Sequence, residues 1–234
     1  MARSTARIAA AVQDTGIYPV PVAARLLGES PATVRRWAFG YQQRGQSHQS
    51  AITTDLPAVD GTRALTFLDL VELLFVQALL ASGLSWPRVR EASRVAARLL
   101  RDEPHPFATR RWFADAGAVY LRLGESRGEE ILVEVAGHAQ VAMESVLSSY
   151  LTQLDFNGNG VAQRWFPGGL GTDVVLDPRR SFGMPITTRG GVPTETLARL
   201  HAAGDSPSTL AAWYQIDESE VAAALEYEAT LAAA

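Results

Sequence analysis

Val20-Pro-Val-Ala-Ala-Arg-Leu-Leu-Gly-Glu-Ser-Pro-Ala-Thr-Val-Arg-Arg-Trp37 is the stretch whose reading decides the fold. Val22, Ala23, Leu26 and Leu27 fall on one face of a short helix. Gly28 stands where that helix must stop, because glycine accepts the left-handed conformation beyond a helix end. Ser30 then offers a hydroxyl as N-cap and Pro31 suits the first helical position. Val34 and Trp37 turn the second helix toward the first, which leaves Thr33, Arg35 and Arg36 outward. The pattern reads as a helix-turn-helix whose second helix could enter a DNA groove. The same letters also suit any two-helix corner.

Composition narrows the choice. The chain has 234 residues and no cysteine, so disulfides, thiolate metal sites and thiol catalysis are excluded. Net charge is −4, but it is unevenly spread. Residues 1–50 hold six arginines against two acids, residues 84–111 hold seven against three, and residues 200–234 hold six acids and no arginine. A basic front and an acidic tail suit two different partners. Lysine is absent, which with the abundant alanine points to a GC-rich genome rather than to guanidinium chemistry. The first residues lack the apolar core of a signal peptide. The apolar run Ala64–Ser82 is interrupted by Asp69 and Glu72, so it reads as a buried helix and not a membrane span. A cytoplasmic location is expected.

Outward from the opening stretch, residues 1–16 form a loose or helical lead-in, and Gln42–Thr62 an extended loop or wing. Thr66 and Asp69 make a capping box before a helix over Phe67–Ala81. Gly83 ends it, and Ser85 caps the next helix, Pro87–Arg101. Arg90, Arg94, Arg98 and Arg101 form a stripe there, either tracking phosphates or simply solvated. Trp112–Leu123 and Glu130–Ala136 alternate as strands joined by Gly124–Gly128, and His138–Leu154 returns to helical spacing. Phe156 and Val161–Phe166 predict a hairpin across Asn157–Gly160, Val174–Leu176 a short strand, and Asp177–Val192 a loop.

The tail repeats the front's punctuation. Gly28-Glu29-Ser30-Pro31-Ala32-Thr33-Val34-Arg35-Arg36-Trp37 and Gly204-Asp205-Ser206-Pro207-Ser208-Thr209-Leu210-Ala211-Ala212-Trp213 share glycine, acid, Ser-Pro, Thr, aliphatic and Trp at a constant offset. A second helix-turn-helix follows, with Thr194 capping its first helix and Asp217 and Glu220 its last. In this copy Ala211 and Ala212 replace the two arginines. DNA repels an acidic surface. The first copy is therefore the DNA candidate, and the second suits a protein partner or a structural role.

Catalytic and metal signatures fail their context tests. Gly124-Glu125-Ser126-Arg127-Gly128 matches a nucleophile elbow, but a strand, not a helix, should follow it. Asp155–Gly160 opens like a calcium loop, but its twelfth position is Phe166. Gly168, Gly169 and Gly171 lack a phosphate-loop ending. His48, His105, His138 and His201 are isolated in sequence. No catalytic residue, metal or cofactor is expected, and the chain does not read as an enzyme.

Tyr18–Trp37, the loop, and then Leu65–Glu91 with Gly83-Leu84-Ser85 at the helix corner resemble the N-terminal region of MerR-type regulators. Arg36-Trp37-Ala38 replaces the usual Arg-Tyr-Tyr, and no long coiled coil follows, which argues against an effector-sensing activator. Trp165-Phe166-Pro167, Val175-Leu176-Asp177-Pro178, Phe182-Gly183-Met184-Pro185, Gly191-Val192-Pro193-Thr194, Trp213-Tyr214 and Ala224–Glu228 resemble a small helical domain of unknown function. That domain recurs in antitoxins of the VapBC class, encoded beside PIN-domain ribonuclease toxins. The resemblance implies an antitoxin that neutralises a PIN-domain toxin and represses its own operon. The alternative is a stand-alone helix-turn-helix regulator.

The expected fold is α+β, mainly α. It comprises a winged, MerR-like DNA-binding domain over residues 1–105, a small β-containing middle region over 106–176 and a helical domain over 177–234. Arg25, Thr33, Arg35, Arg36 and Arg44 are the candidate contacts to operator DNA. Because PIN active sites are carboxylate clusters, Arg179, Arg180 and Arg189 are the candidate toxin contacts. A homodimer is expected, since one such motif usually pairs to read two half-sites.

Overall fold

A computed structural model describes residues 15–43, 45–58, 61–101, 103–115, 118–126, 129–136 and 143–233. The predicted lead-in falls almost wholly outside them. The fold is α+β, built of helices with small antiparallel sheets.

The chain enters through strand β1 (Ile17–Pro19), followed by helices α1 (Val20–Leu27) and α2 (Pro31–Phe39). Gly28 takes the left-handed conformation, and its N–H returns to the carbonyls of Ala24 and Arg25. Ser30 Oγ accepts the N–H of Thr33 at 3.0 Å, so the expected cap is formed. Strands β2 (Tyr41–Gln43) and β3 (Gln46–His48) pair as a hairpin, the wing expected within the polar loop. Strand β4 (Ala64–Thr66) then closes on β1.

Helix α3 (Phe67–Ala81) is the centre of the molecule. Phe67, Leu70, Val71, Leu73, Phe75, Val76 and Leu79 are all buried, as a helix apolar on every side requires. Its capping box is complete: Asp69 Oδ2 accepts from Thr66 N at 2.9 Å, and Thr66 Oγ1 from Asp69 N at 3.2 Å. Gln77 donates to the carbonyl of Leu27 at 2.8 Å, satisfying an orphan acceptor at the end of α1. Helix α4 (Trp86–Leu99) buries Val89, Ala92 and Ala96 and turns its arginines outward. Arg94 and Arg98 share Glu91, and Arg90 lies over the Trp86 ring.

Beyond α4, strands β5 (Trp112–Asp115), β6 (Ala118–Ser126) and β7 (Glu129–Ala136) form an antiparallel sheet. Gly124–Ser126 belong to β6, which pairs antiparallel with β7, so these residues are in a strand whose next described element is another strand; Arg127 and Gly128 lie outside the described residues. Helix α5 (Met143–Leu151) stops short of the predicted Leu154, which already opens strand β8 (Leu154–Phe156), and the predicted start, residues 138–142, lies outside the described residues. Strand β9 (Ala162–Trp165) completes the hairpin predicted across Asn157–Gly160, where Asn157 Oδ1 accepts from Asn159 N and Val161 N.

The segment Asp177–Val192, read as a loop, contains one more strand. Strand β10 (Val174–Leu176) pairs with β11 (Pro185–Thr187), which puts Ile186 opposite Val175. The strand order β11-β10-β9-β8 places β11 at an edge, where Pro185 is tolerated. Helices α6 (Thr194–Ala202), α7 (Pro207–Tyr214) and α8 (Glu218–Ala233) close the chain around Val192, Leu197, Leu210, Val221 and Ala224. Thr194 does not cap α6. It lies buried inside the first turn, its hydroxyl 2.5 Å from Glu228 Oε1. Glu220 does not cap its own helix either. Its Oε1 accepts the N–H groups of Arg189 and Gly190, tying the turn before α6 to α8.

One core cluster runs from Tyr18 to Leu176, with Leu231 packed against it. Within it Phe75 meets the rings of Phe107, Trp112 and Tyr150 at 4.8–5.0 Å. Among the described residues no helix is long and apolar enough to cross a membrane.

The front and tail are joined at Tyr18, whose hydroxyl donates to the carbonyl of Gly183 at 2.7 Å in the interior. A Cβ at Gly183 would lie 2.2 Å from that hydroxyl, so only glycine allows the approach. Tyr18→Phe leaves a buried carbonyl without its donor and is expected to cost about 1–3 kcal/mol. Urea unfolding of the variant against the parent measures it.

Candidate nucleic-acid interface

The exposed side of α2 carries Arg35 and Arg36, and among the described residues neither has an acidic partner. Thr33 is half-buried beside them, its hydroxyl 2.9 Å from Ser30 Oγ. Val34 and Trp37 anchor the opposite face. Trp37 is 8% exposed and stacks on Trp86 with ring centroids 6.4 Å apart. The arginines are thus held outward by the same spacing that drives the valine and tryptophan in.

A groove of about 1170 Å³ opens between α2, the wing and α4. Arg35, Arg63 and Arg94 reach it, together with Gln42, Ser47 and His48 of the wing, and among the described residues no Asp or Glu lines it. Arg63 lies over the Phe39 ring, 4.7 Å from its centroid, so its guanidinium is positioned rather than loose. Tyr41 and His48 stack across the wing at 4.4 Å. Three cations among neutral donors suit a phosphate backbone, Arg35 and Arg63 without an acidic partner among the described residues and Arg94 shared with Glu91 at 2.9 Å. Sequence reasoning missed Arg63 and Arg94. Arg63 stands alone in a polar loop, and Arg94 was one of an arginine stripe whose role stayed open.

The remaining predicted DNA contacts divide. Arg44 lies outside the described residues. Arg25 is on α1 and faces the tail, its Nη1 3.4 Å from Glu228 Oε2. The structure does not bring it into the groove with Arg35.

The second corner keeps the scaffold of the first and loses its charge. Ser206 Oγ accepts the N–H of Thr209 at 3.1 Å, and Leu210 is buried as Val34 is. Trp213, however, is 61% exposed, whereas Trp37 is covered by α4. The tail's arginines are partly committed. Arg180 donates to the carbonyl of Thr188 at 3.0 Å, and Arg189 meets Asp217 at 2.9 Å and Asp173 at 3.5 Å. Arg179 is exposed and donates to Gln163 at 3.0 Å. Next to this pair, Phe182 is 87% exposed on a backbone with φ 56°, a conformation costly for a bulky residue. Phe182 belongs to a motif that carries the family resemblance, but no periodicity marks it as exposed, since it sits in a stretch that reads as loop.

His105, isolated in sequence, is not isolated in space. It is buried, with Nδ1 3.2 Å from Glu72 Oε2 and Nε2 2.9 Å from Asp55 Oδ2. Burial opposes charge on the ring, but the bond to Glu72 and the charges of Glu72, Asp55 and Asp69 outweigh it and raise its pKa to about 9. Burial likewise raises Glu72, and lifts Asp69 to about 6 against the hydrogen bond from Thr66.

Comparison with known proteins places these features in context. Residues 174–227 match a family described as "Protein of unknown function (DUF433)", which covers the strands and helices of the tail. Over 226 residues the chain is 26% identical to "Putative antitoxin VapB45" of Mycobacterium tuberculosis (strain ATCC 25618 / H37Rv), across 91% of this chain and 94% of that protein. Its fold is similar to the X-ray crystal structure of Rv2018 from Mycobacterium tuberculosis, with TM-score 0.64 and 22% identity over 91% of this chain and 99% of that one.

The two caps make a direct test. Ser30→Ala and Ser206→Ala each remove one capping acceptor and are each expected to cost about 0.5–2 kcal/mol. Paired denaturant curves should show comparable losses despite the corners' opposite electrostatic surroundings.

Proposed function

We propose that this protein is an antitoxin that binds operator DNA through its first helix-turn-helix and a PIN-domain ribonuclease toxin through its tail. It is a non-enzymatic regulator acting in the cytoplasm, repressing its own operon as a homodimer. The observation that carries the DNA reading is the arginine-lined, acid-free groove between α2, the wing and α4. The end-to-end likeness to a protein named as an antitoxin supports the regulatory role and the class of partner.

In this reading Arg35 and Arg36 enter the groove of the duplex with Thr33 beside them. Arg63, Arg94 and Arg44 bind flanking phosphates. Arg25 serves chiefly as the link between α1 and the tail through Glu228. The toxin docks on the side that exposes Phe182, with Arg179 the cation freest to meet a carboxylate and Arg180 and Arg189 behind it. A large aromatic beside an arginine is the usual make-up of a binding hot spot.

Electrophoretic or anisotropy titration with the gene's own upstream DNA tests the first half. Arg35→Ala/Arg36→Ala should weaken binding at least about tenfold, and Arg63→Ala should lower the slope of log affinity against log salt by about one. Unchanged affinity and slope would refute the interface. For the second half, the toxin is sought as the product of the neighbouring gene. Phe182→Ala should weaken its co-purification with the full chain while leaving thermal stability unchanged. Equal recovery of toxin with Phe182→Ala and Arg179→Ala would sink the docking site.

A further inference from the structure

We propose that Asp55, Asp69 and His105 form a binding site for a divalent first-row metal ion of the zinc type. One ring nitrogen of His105 and one oxygen of each carboxylate lie within 4.8 Å of one another. The three residues come from separate parts of the chain. Asp55 lies in the loop between β3 and β4, Asp69 in the first turn of α3, and His105 in the link between α4 and β5.

Proximity alone would not distinguish a metal site from a salt-bridge cluster. The second observation is Asp69. Its side chain is fully buried, and while Oδ2 accepts from the Thr66 amide, Oδ1 has no hydrogen-bond partner. That oxygen lies 4.0 Å from His105 Nδ1, the nitrogen that Glu72 also faces, so Asp69 must turn toward Nε2 to share an ion with Asp55. A buried carboxylate oxygen without a donor is costly, and interiors rarely leave one. A cation supplies what the protein's own donors do not.

The surroundings of His105 complete the argument. Nδ1 faces Glu72 Oε2 at 3.2 Å, and the other Glu72 oxygen is held by the Phe107 amide at 3.0 Å. A fixed carboxylate behind the ring holds the Nδ1–H tautomer and presents the Nε2 lone pair outward, the outer-shell arrangement that orients metal-binding histidines. Asp55 Oδ2 stands 2.9 Å from that Nε2. Ligand bonds of about 2.0–2.1 Å need these two atoms a few tenths of an ångström further apart. Asp55 can give way, because its side chain is 42% exposed on a loop. The same exposure opens a path for the ion and for a water in the fourth position. Ion entry releases to solvent the proton that Nε2 otherwise donates to Asp55. One imidazole with two carboxylates suits zinc-like ions and falls short of the oxygen-rich shell calcium takes. A bound ion would pin the loop that carries Asp55 to the central helix.

The test uses the full chain, stripped with EDTA and titrated with Zn²⁺ against a chromophoric chelator, with Co²⁺ as a spectroscopic probe. One Zn²⁺ per chain is expected, together with visible d–d bands for Co²⁺ and a rise in melting temperature on saturation. Asp55→Asn, at a half-exposed position that should fold normally, should weaken Zn²⁺ binding at least about tenfold. His105→Gln should abolish it and bleach the Co²⁺ bands. Absence of Zn²⁺ uptake overturns the site. Uptake that persists unchanged in both variants overturns it equally, placing the ion elsewhere on the surface.

Discussion

A carboxylate on the buried side of a helix must find its partners inside the protein. Helix α3 carries two, Asp69 and Glu72, and much of the architecture answers to them. Asp69 is engaged by the first turn's own amide, and Glu72 by the amide of Phe107 and the ring of His105. Those contacts hold residues 105–107 against the helix, which sets the Phe107 ring on Phe75 and lets Tyr150 donate to the carbonyl of Phe107. Trp112 is fixed in the same region through Pro106. The wing loop is drawn in from the other side by Asp55. Of the two acids that keep the apolar run from reading as a membrane span, Glu72 attaches residues 105–107 to the centre and Asp69 closes the helix's own first turn.

Local chemistry was legible in the sequence and distant pairing was not. The caps at Ser30, Thr66 and Ser206, the stop at Gly28 and the hairpin at Asn157 rest on interactions within a few residues, and each forms. Strand β11 escaped because its three residues contain a proline and follow a left-handed turn, so only its partner β10 makes it a strand. Thr194 and Glu220 carried the right letters for caps, but tertiary partners, Glu228 and the 189–190 amides, claimed them instead. The same limit hid the groove around Arg63 and the cluster around His105. Their members lie tens of residues apart, and no periodicity announces them.

The two corners show how little of a helix-turn-helix its capping chemistry specifies. Both close through a serine hydroxyl on the amide three residues on, and both bury an aliphatic one residue later. What differs is what lies against them. A tryptophan covered by α4 frees the next face for cations in one, while in the other the tryptophan stays at the surface. The scaffold is shared, and its use is set by neighbours contributed from elsewhere in the chain.

The bond between Tyr18 and Gly183 has a consequence for the order in which the protein is made. A ribosome delivers residue 183 long after residue 18, so the first strand and the corner beside it wait without their last partner while the intervening chain is made. Tyr18 is sealed, and Arg25 meets Glu228, only when the tail has emerged. A nascent chain stopped before residue 183 would therefore present a corner that lacks these supports, and the settled form of the front half belongs to chains that include the tail helices.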